Sequence, residues 1–516
     1  MGKRWWGALS PTRCSGFKTT MNFKFNLKGN GTMKVTTVFA TFAMAASLNA
    51  AVIEQVIVRQ QWPWSTDVKV EYKLSGVTSP VDISVKAFNG NVELDATRLA
   101  SAMTGDRFGI AENGVGTIII DPVKAFGTSK IALANFKVKL SLSESKIPNS
   151  QDVLYRILDL EANPVTYEDV RRADFYNGKY GDFVTDFTEI GKMIGSDDFT
   201  TSLDDVFIWT GVTNNPAYKT TKLVLRKIKA KDRHFYMGAG ELLVNGETVI
   251  PAQYTCSAAE KFRVKVSFTN DYWIGVFEVT EKQYALLTGT DASSISADVA
   301  VKPRAGIKYS EMRGTPSEWS SWPANVYEVT SDSILQTIRN RIPGMMVDLP
   351  TEAQWEYASR AGTDTQLYCG RSIVGSTGHK SALSALAWSS ETTVMDDESN
   401  GMAVGQLLPN AFGLYDTLGN AAELVRDVFN PDNNVKDSSG KIVGPAPLAE
   451  EVEEPMGWTD GAAASLQGEA CMGMYRGGSC ARIYSYNHSA SRRVWKTINS
   501  LSGEGPSGFR LWIKGE

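Results

Sequence analysis

The stretch Leu349-Pro350-Thr351-Glu352-Ala353-Gln354-Trp355-Glu356-Tyr357-Ala358 decides how this chain is read. Thr351 offers a hydroxyl to the orphan amides that open a helix, and Gln354, three residues on, can reach back to the cap's own amide. Trp355, Tyr357 and Ala358 then follow as residues that face a core. The same logic stands at Thr280, followed by Glu281-Lys282-Gln283. It predicts a second short helix just after the apolar run Tyr272-Trp273-Ile274-Gly275-Val276-Phe277-Glu278-Val279. Lys222 to Ile228 and Phe235 to Gly238 read as strands before it.

Three further segments follow in order. They are Gly413-Leu414-Tyr415-Asp416 running into Gly419-Asn420, then Arg476-Gly477-Gly478-Ser479, then Gly508-Phe509-Arg510-Leu511. Any one alone is a weak signal. In this order, the four segments resemble the sulfatase-modifying-factor domain of the formylglycine-generating enzymes. The resemblance runs from about Lys222 to Lys514, somewhat over half of the chain. It implies an α+β fold related to C-type lectins, with short helices, a small twisted sheet, buried aromatics and bound calcium.

The resemblance also carries residue roles. It implies calcium held by Asp416 and Glu423 with the backbone carbonyls of Gly419 and Ala421. A hard cation that takes six to eight oxygens suits carboxylates mixed with carbonyls. A capped helix start with solvated acids is the alternative. The family has tryptophan on either side of that glutamate, whereas Ala422 and Leu424 stand here. Active members bind copper(I) through two cysteines, three and eight residues after the serine of the Arg-Gly-Gly-Ser strand. Arg482 and Asn487 occupy those positions, and neither can replace a thiolate. Cys480 is two residues off the first of them, and one thiolate makes a poor copper(I) site. No catalytic residue is assigned beyond Cys480 as a weak candidate, and copper is not expected. Relatives that bind iron use histidines from an added helical domain. This chain has only His234, His379 and His488, each read as an ordinary surface or core residue.

Arg476, Arg492 and Arg510, with Ser479, Arg482 and Asn487, are candidates for a groove or for internal ties. A guanidinium bonds several carbonyls at once, and a loop-rich fold must satisfy its carbonyls somewhere. The tie is the favoured reading for the arginines. The insertion from Val435 to Met472 is rich in Gly, Pro and Glu, and is expected to lie over any groove.

Toward the N-terminus the pattern changes. At 516 residues the chain has room for two or three domains. A net charge of −4 gives no basic footprint for nucleic acid. Asp67 to Leu74, Val81 to Ala87 and Phe136 to Leu142 alternate polar and apolar, with turns at Gly76, Asn89-Gly90 and Asn113-Gly114. Residues 51–150 therefore read as an immunoglobulin-like β-sandwich, adhesive or spacing in role. Residues 151–221 read as a connecting β segment packed on a neighbour, and residues 222–516 as the family domain. Lys34 precedes an apolar run, Val35 to Ala46, too short to span a bilayer, and Ala50 is a plausible cleavage point. Residues 1–50 thus read as a leader with an export signal, with Met33 as the true start. The alternative is an extended basic region carrying Lys18, Lys24 and Lys28. The mature chain is placed in the periplasm, at the cell surface or outside the cell.

Export would leave Cys256, Cys369, Cys471 and Cys480, enough for two disulfides in three possible pairings. On one extended strand Cys471 and Cys480 would lie roughly 30 Å apart. Pairing them needs a turn, and Gly477-Gly478 is the candidate. The function expected is a non-catalytic binding module with a protein, peptide or glycan ligand. The alternatives are a copper-dependent oxidase of sulfatase cysteines with a rearranged site, and an envelope protein whose sandwich does the interacting.

Overall fold

The computed structural model describes residues 51–193, 206–239, 263–315, 327–371, 383–392, 401–429, 472–482 and 506–515, with short strand segments between them. The leader apart from Thr36–Thr37, together with Cys256, His379, Cys471, Asn487 and His488, lies outside the described residues, as does most of the 435–472 insertion.

The N-terminal unit is made by alternation. In β1 (Val52–Gln60) and β2 (Val68–Ser75), every second side chain of β2 is buried, namely Val68, Val70, Tyr72 and Leu74. β3 is Val81–Asn89, β4 Met103–Gly105, β5 Gly114–Ile120 and β6 Phe136–Glu144. One antiparallel sheet runs β1-β2-β5-β4, with Thr36–Thr37 on its outer edge. A second pairs β3 with β6 and with Val92–Glu93. Ile118 and Ile120 from the first sheet and Ile83, Phe136 and Val138 from the second enter a single apolar core.

The larger unit is organised around one six-stranded antiparallel sheet. Its strands are β7 (Val153–Asp159), β8 (Thr166–Arg171), β9 (Lys222–Ile228), β10 (Tyr272–Gly275), β11 (Val347–Asp348) and, near the C-terminus, Trp512–Lys514. The spatial order is β8-β7-β9-β10, then Trp512–Lys514, then β11. Most of these strands are buried on both faces, so they read as nearly continuous apolar runs. The apolar run after β10 does not continue as strand. At Val276 the chain leaves the sheet, giving its amide to Val224 and taking the amide of Tyr415 on its carbonyl. A smaller sheet holds β12 (Ala422–Phe429) between β13 (Met472–Arg476) and the parallel strand Ser507–Phe509.

The stretch from Arg171 to Asp205 has no legible period in sequence, and the described residues 172–193 and 206–219 are ordered by aromatic packing. Phe175, Phe207, Trp209 and Tyr155 form one cluster on β7, with Tyr155 and Trp209 ring centroids 5.3 Å apart. That cluster also takes in Val276, Phe277 and Tyr415. β7 and β8 are thus integral to the sheet of the larger unit.

Asn177 joins the two units. Its Oδ1 accepts the amides of Arg107 at 3.0 Å and Phe108 at 2.8 Å, and its Nδ2 donates to the Phe108 carbonyl at 3.1 Å. Gly105 donates to its backbone carbonyl at 2.9 Å.

Candidate functional site

Three short helices matter for the site: α1 (Glu281–Thr288), α2 (Ile334–Arg341) and α3 (Glu352–Arg360). Both expected capping boxes are present. Thr351 Oγ1 accepts the Gln354 amide at 3.1 Å, while Gln354 Oε1 accepts the Thr351 amide at 2.9 Å. Thr280 and Gln283 repeat the arrangement at 3.2 and 3.0 Å. Every residue of α3 is buried, its acids included.

Those acids sit one turn apart on one face. Glu352 and Glu356 both engage the Arg476 guanidinium, which lies over the Trp355 ring at 5.3 Å. Glu356 also accepts Arg360 Nε at 2.8 Å and the Gly238 amide at 2.9 Å. Burial alone would raise its pKa, but Arg360 and Arg476 outweigh it and hold the carboxyl below the ordinary range.

Arg510 is fully buried. Its Nε and Nη2 grip Glu423 at 2.8–3.0 Å. Its remaining donors go to the carbonyls of Gly275, Val276 and Tyr415 at 3.1, 2.9 and 2.6 Å. One side chain thereby ties the end of β10 and the Tyr415 loop to β12. Trp355 Nε1 completes the Glu423 carboxylate at 2.7 Å.

Two more buried acids face this centre. Glu278 accepts Asn420 Nδ2 at 2.6 Å and the Ala421 amide at 2.8 Å. Burial pushes its pKa well up, and Asp416 and Glu423 push it further. Asp416 sits in the left-handed region with φ 56°, and its Oδ2 accepts the Gly405 amide at 2.6 Å. Among the described residues its buried Oδ1 has no hydrogen-bond partner. Burial raises its pKa to about 6. Three buried carboxylates face one buried guanidinium, with half-buried Lys219 also acting on Asp416. A buried charge excess of this sign is relieved by protonation or by a bound cation. The Asp416 Oδ1 fits a hard cation's donor set. Glu423 fits less well, because both of its oxygens are already engaged by Arg510 and Trp355.

The remaining expected positions spread along the turn after β13. Gly477 and Gly478 have φ of 87° and 77°, so the chain does turn there. Gly477 takes the Gly419 amide on its carbonyl at 2.9 Å, placing the Arg-Gly-Gly-Ser turn against the Asp416–Glu423 loop. Ser479 and Cys480 are buried, and the Cys480 amide donates to Asn420 O at 2.9 Å. Arg482 is part-exposed and its carbonyl accepts the Ser390 amide at 3.0 Å. Arg492 opens the strand Arg492–Thr497 beside β13, and its side chain lies outside the described residues. His234 lies exposed on its strand. Cys369 is a buried free thiol, so the four cysteines do not form two disulfides in this structure. Cys369 belongs to an apolar core cluster, and its burial pushes the thiol pKa up.

Glu278, Glu352 and Glu356 escaped the sequence reading of the site. One signal was available: a lone acid inside the apolar run Val276-Phe277-Glu278-Val279, which a buried strand end tolerates only with partners. The pair on α3 was also visible as acids at i and i+4, but nothing in sequence showed that Arg476 would come between them.

A capped and wholly buried α3, set against small sheets and tied by internal arginines, defines a loop-rich α+β domain. This chain belongs to the sulfatase-modifying factor enzyme 1-like domain family, which it matches over residues 230–514. Among characterised proteins it is similar to the formylglycine-generating enzyme of Bos taurus, 28% identical over 167 residues, which cover 31% of this chain and 37% of that enzyme. It is also similar to chaperone protein LppX of Paenibacillus barcinonensis, 25% identical over 174 residues, 30% of this chain and 61% of that one. The chain thus spans less than two thirds of the length of either relative. Solved structures with some likeness include Treponema denticola variable protein 1, with a TM-score of 0.33, 18% identity and coverage of 57% of this chain and 95% of that one. PvdO from Pseudomonas aeruginosa gives a TM-score of 0.35 and 17% identity, covering 56% of this chain and 94% of that one. No helix among the described residues is long and apolar enough to cross a membrane.

Proposed function

We propose that this chain is an exported, non-catalytic binding protein of the family. Residues 51–150 form an immunoglobulin-like β-sandwich, residues 151–221 join it to the rest while adding β7 and β8 to the larger sheet, and residues 222–516 present a C-type-lectin-like surface to a protein, peptide or glycan ligand. The observation that carries the reading is the pair Arg482 and Asn487, standing where the resemblance requires two thiolates. Incubation of the full chain with a cysteine-containing sulfatase peptide, copper and oxygen, followed by mass spectrometry, is expected to leave the peptide unchanged. Conversion that disappears in Cys480→Ser would establish the oxidase instead.

The same reading includes calcium. Asp416 would supply its partnerless Oδ1, with the carbonyls of Gly419 and Ala421, while Glu423 stays with Arg510. The ion's role there is charge balance for buried carboxylates and cross-linking of the Asp416–Glu423 loop. Titration calorimetry of metal-stripped protein with calcium is expected to show one site that Asp416→Asn abolishes. No heat from the wild type removes calcium from the reading. N-terminal sequencing of secreted protein is expected to find a start after Ala50. Material that retains residues 1–32 overturns the export signal.

A further inference from the structure

The turn between β1 and β2 carries Gln61-Trp62-Pro63-Trp64-Ser65, and both indoles face solvent. Trp62 is 40% exposed and Trp64 is 89% exposed. Single exposed apolar residues are ordinary on protein surfaces, but two tryptophans within three residues are a different matter. Among the described residues, neither ring has a hydrogen bond or a ring contact.

The turn beneath them is tied down. Gln60 Nε2 donates to the Thr66 carbonyl at 2.6 Å and to the Ser129 carbonyl at 2.8 Å, and Gln60 Oε1 accepts the Ile131 amide at 3.0 Å. Ser65 donates back to the Gln61 carbonyl at 2.9 Å, and its Oγ accepts the Asp67 amide at 3.1 Å. All of these bonds stay within the N-terminal unit. The two rings are therefore held out on a preorganised base, which lowers the ordering cost of binding.

Charge and area restrict the partner. On the strand ends that carry the turn, Asp67 and Glu71 stand with Arg59 and Lys69; Arg59 is paired with Glu71 at 3.1 Å and lies across from Lys69. Acids and bases balance, so the surface suits a neutral partner and lacks the basic cluster that draws a protein to anionic lipid. Two indoles can cover at most about 500 Å² between them, against about 800 Å² per side for a standard protein interface. A small partner with flat apolar faces and a hydroxyl rim fits better. Pyranose rings have that shape: their C–H faces stack on indole, and their hydroxyls can meet the polar residues Gln61 and Thr66 of the same turn.

We propose that Trp62 and Trp64 form a stacking platform for a neutral carbohydrate chain. It stands apart from the C-terminal domain, so the outcome of the copper and calcium experiments does not touch it. The test uses the full chain, titrated with cellohexaose, xylohexaose, maltohexaose and chitohexaose. At least one is expected to bind, with affinity falling about tenfold or more in Trp64→Ala and largely kept in Trp64→Phe. Thermal unfolding is expected to be the same in all three proteins. Four results would overturn the proposal: no binding to any of the sugars, binding indifferent to Trp64→Ala, a lowered melting temperature in that variant, or tryptophan-dependent binding to phosphatidylcholine vesicles in place of sugar.

Discussion

Arg510 shows at the residue scale what a buried guanidinium is for. Taking a charge out of water is costly, and the cost is met only when each donor finds an acceptor. Here one carboxylate and three carbonyls do so. Lysine keeps the charge but has neither the fork nor the reach to all four acceptors. Arg510→Lys is expected to destabilise the fold by roughly 3 kcal/mol, read as a lower urea midpoint. Glu356 makes a pH prediction. Its folded pKa lies below the ordinary 4.5, so the unfolded chain takes up its proton first as the solution is acidified. Stability from its ion pairs is complete above pH 4.5 and is lost as pH falls through the depressed folded value. Glu356→Gln is expected to be less stable at neutral pH and to lose stability less steeply below pH 4.5. Urea titrations at several pH values check both; an unchanged acid slope would contradict the assignment.

At the scale of elements, local chemistry was the legible part. The caps at Thr280 and Thr351 need only residues three positions apart, so both helices could be read without tertiary knowledge. The strands at 68–75, 81–89, 136–144 and 222–228 followed from alternation or from a short apolar run. Thr351→Ala is expected to cost about 1 kcal/mol, seen in the melting temperature, with Thr351→Ser recovering most of it. The region 172–219 was illegible for a physical reason. Its described parts, 172–193 and 206–219, are ordered by packing in one cluster with Tyr155 on β7 and with Phe277 and Tyr415 of distant loops. The position of Glu423 was legible through the resemblance, but its commitment to Arg510, 87 residues away, was not.

For the whole molecule the consequential feature is the Asn177 clamp. A spacer on a flexible tether would share few bonds with its neighbour. Asn177 instead makes three side-chain bonds to residues 107–108, replacing what would be unmet backbone groups at the junction. Asn177→Ala is expected to decouple the units, so that a single calorimetric transition separates into two or broadens. An unchanged single transition would place the coupling elsewhere.

By itself the sequence determined the family, the two capped helices, the alternating strands before residue 150 and the absence of thiolates at the two positions after Ser479. Each of these is a matter of residue type at short spacing, or of ordered motifs. Only the tertiary structure decided that Glu278 and the two acids of the Asp416–Glu423 loop converge on Arg510, that Arg476 lies between two glutamates of α3, and that Asn177 locks the two units together. Those outcomes depend on which distant groups share one buried volume, where each charge must find its partner once water has gone.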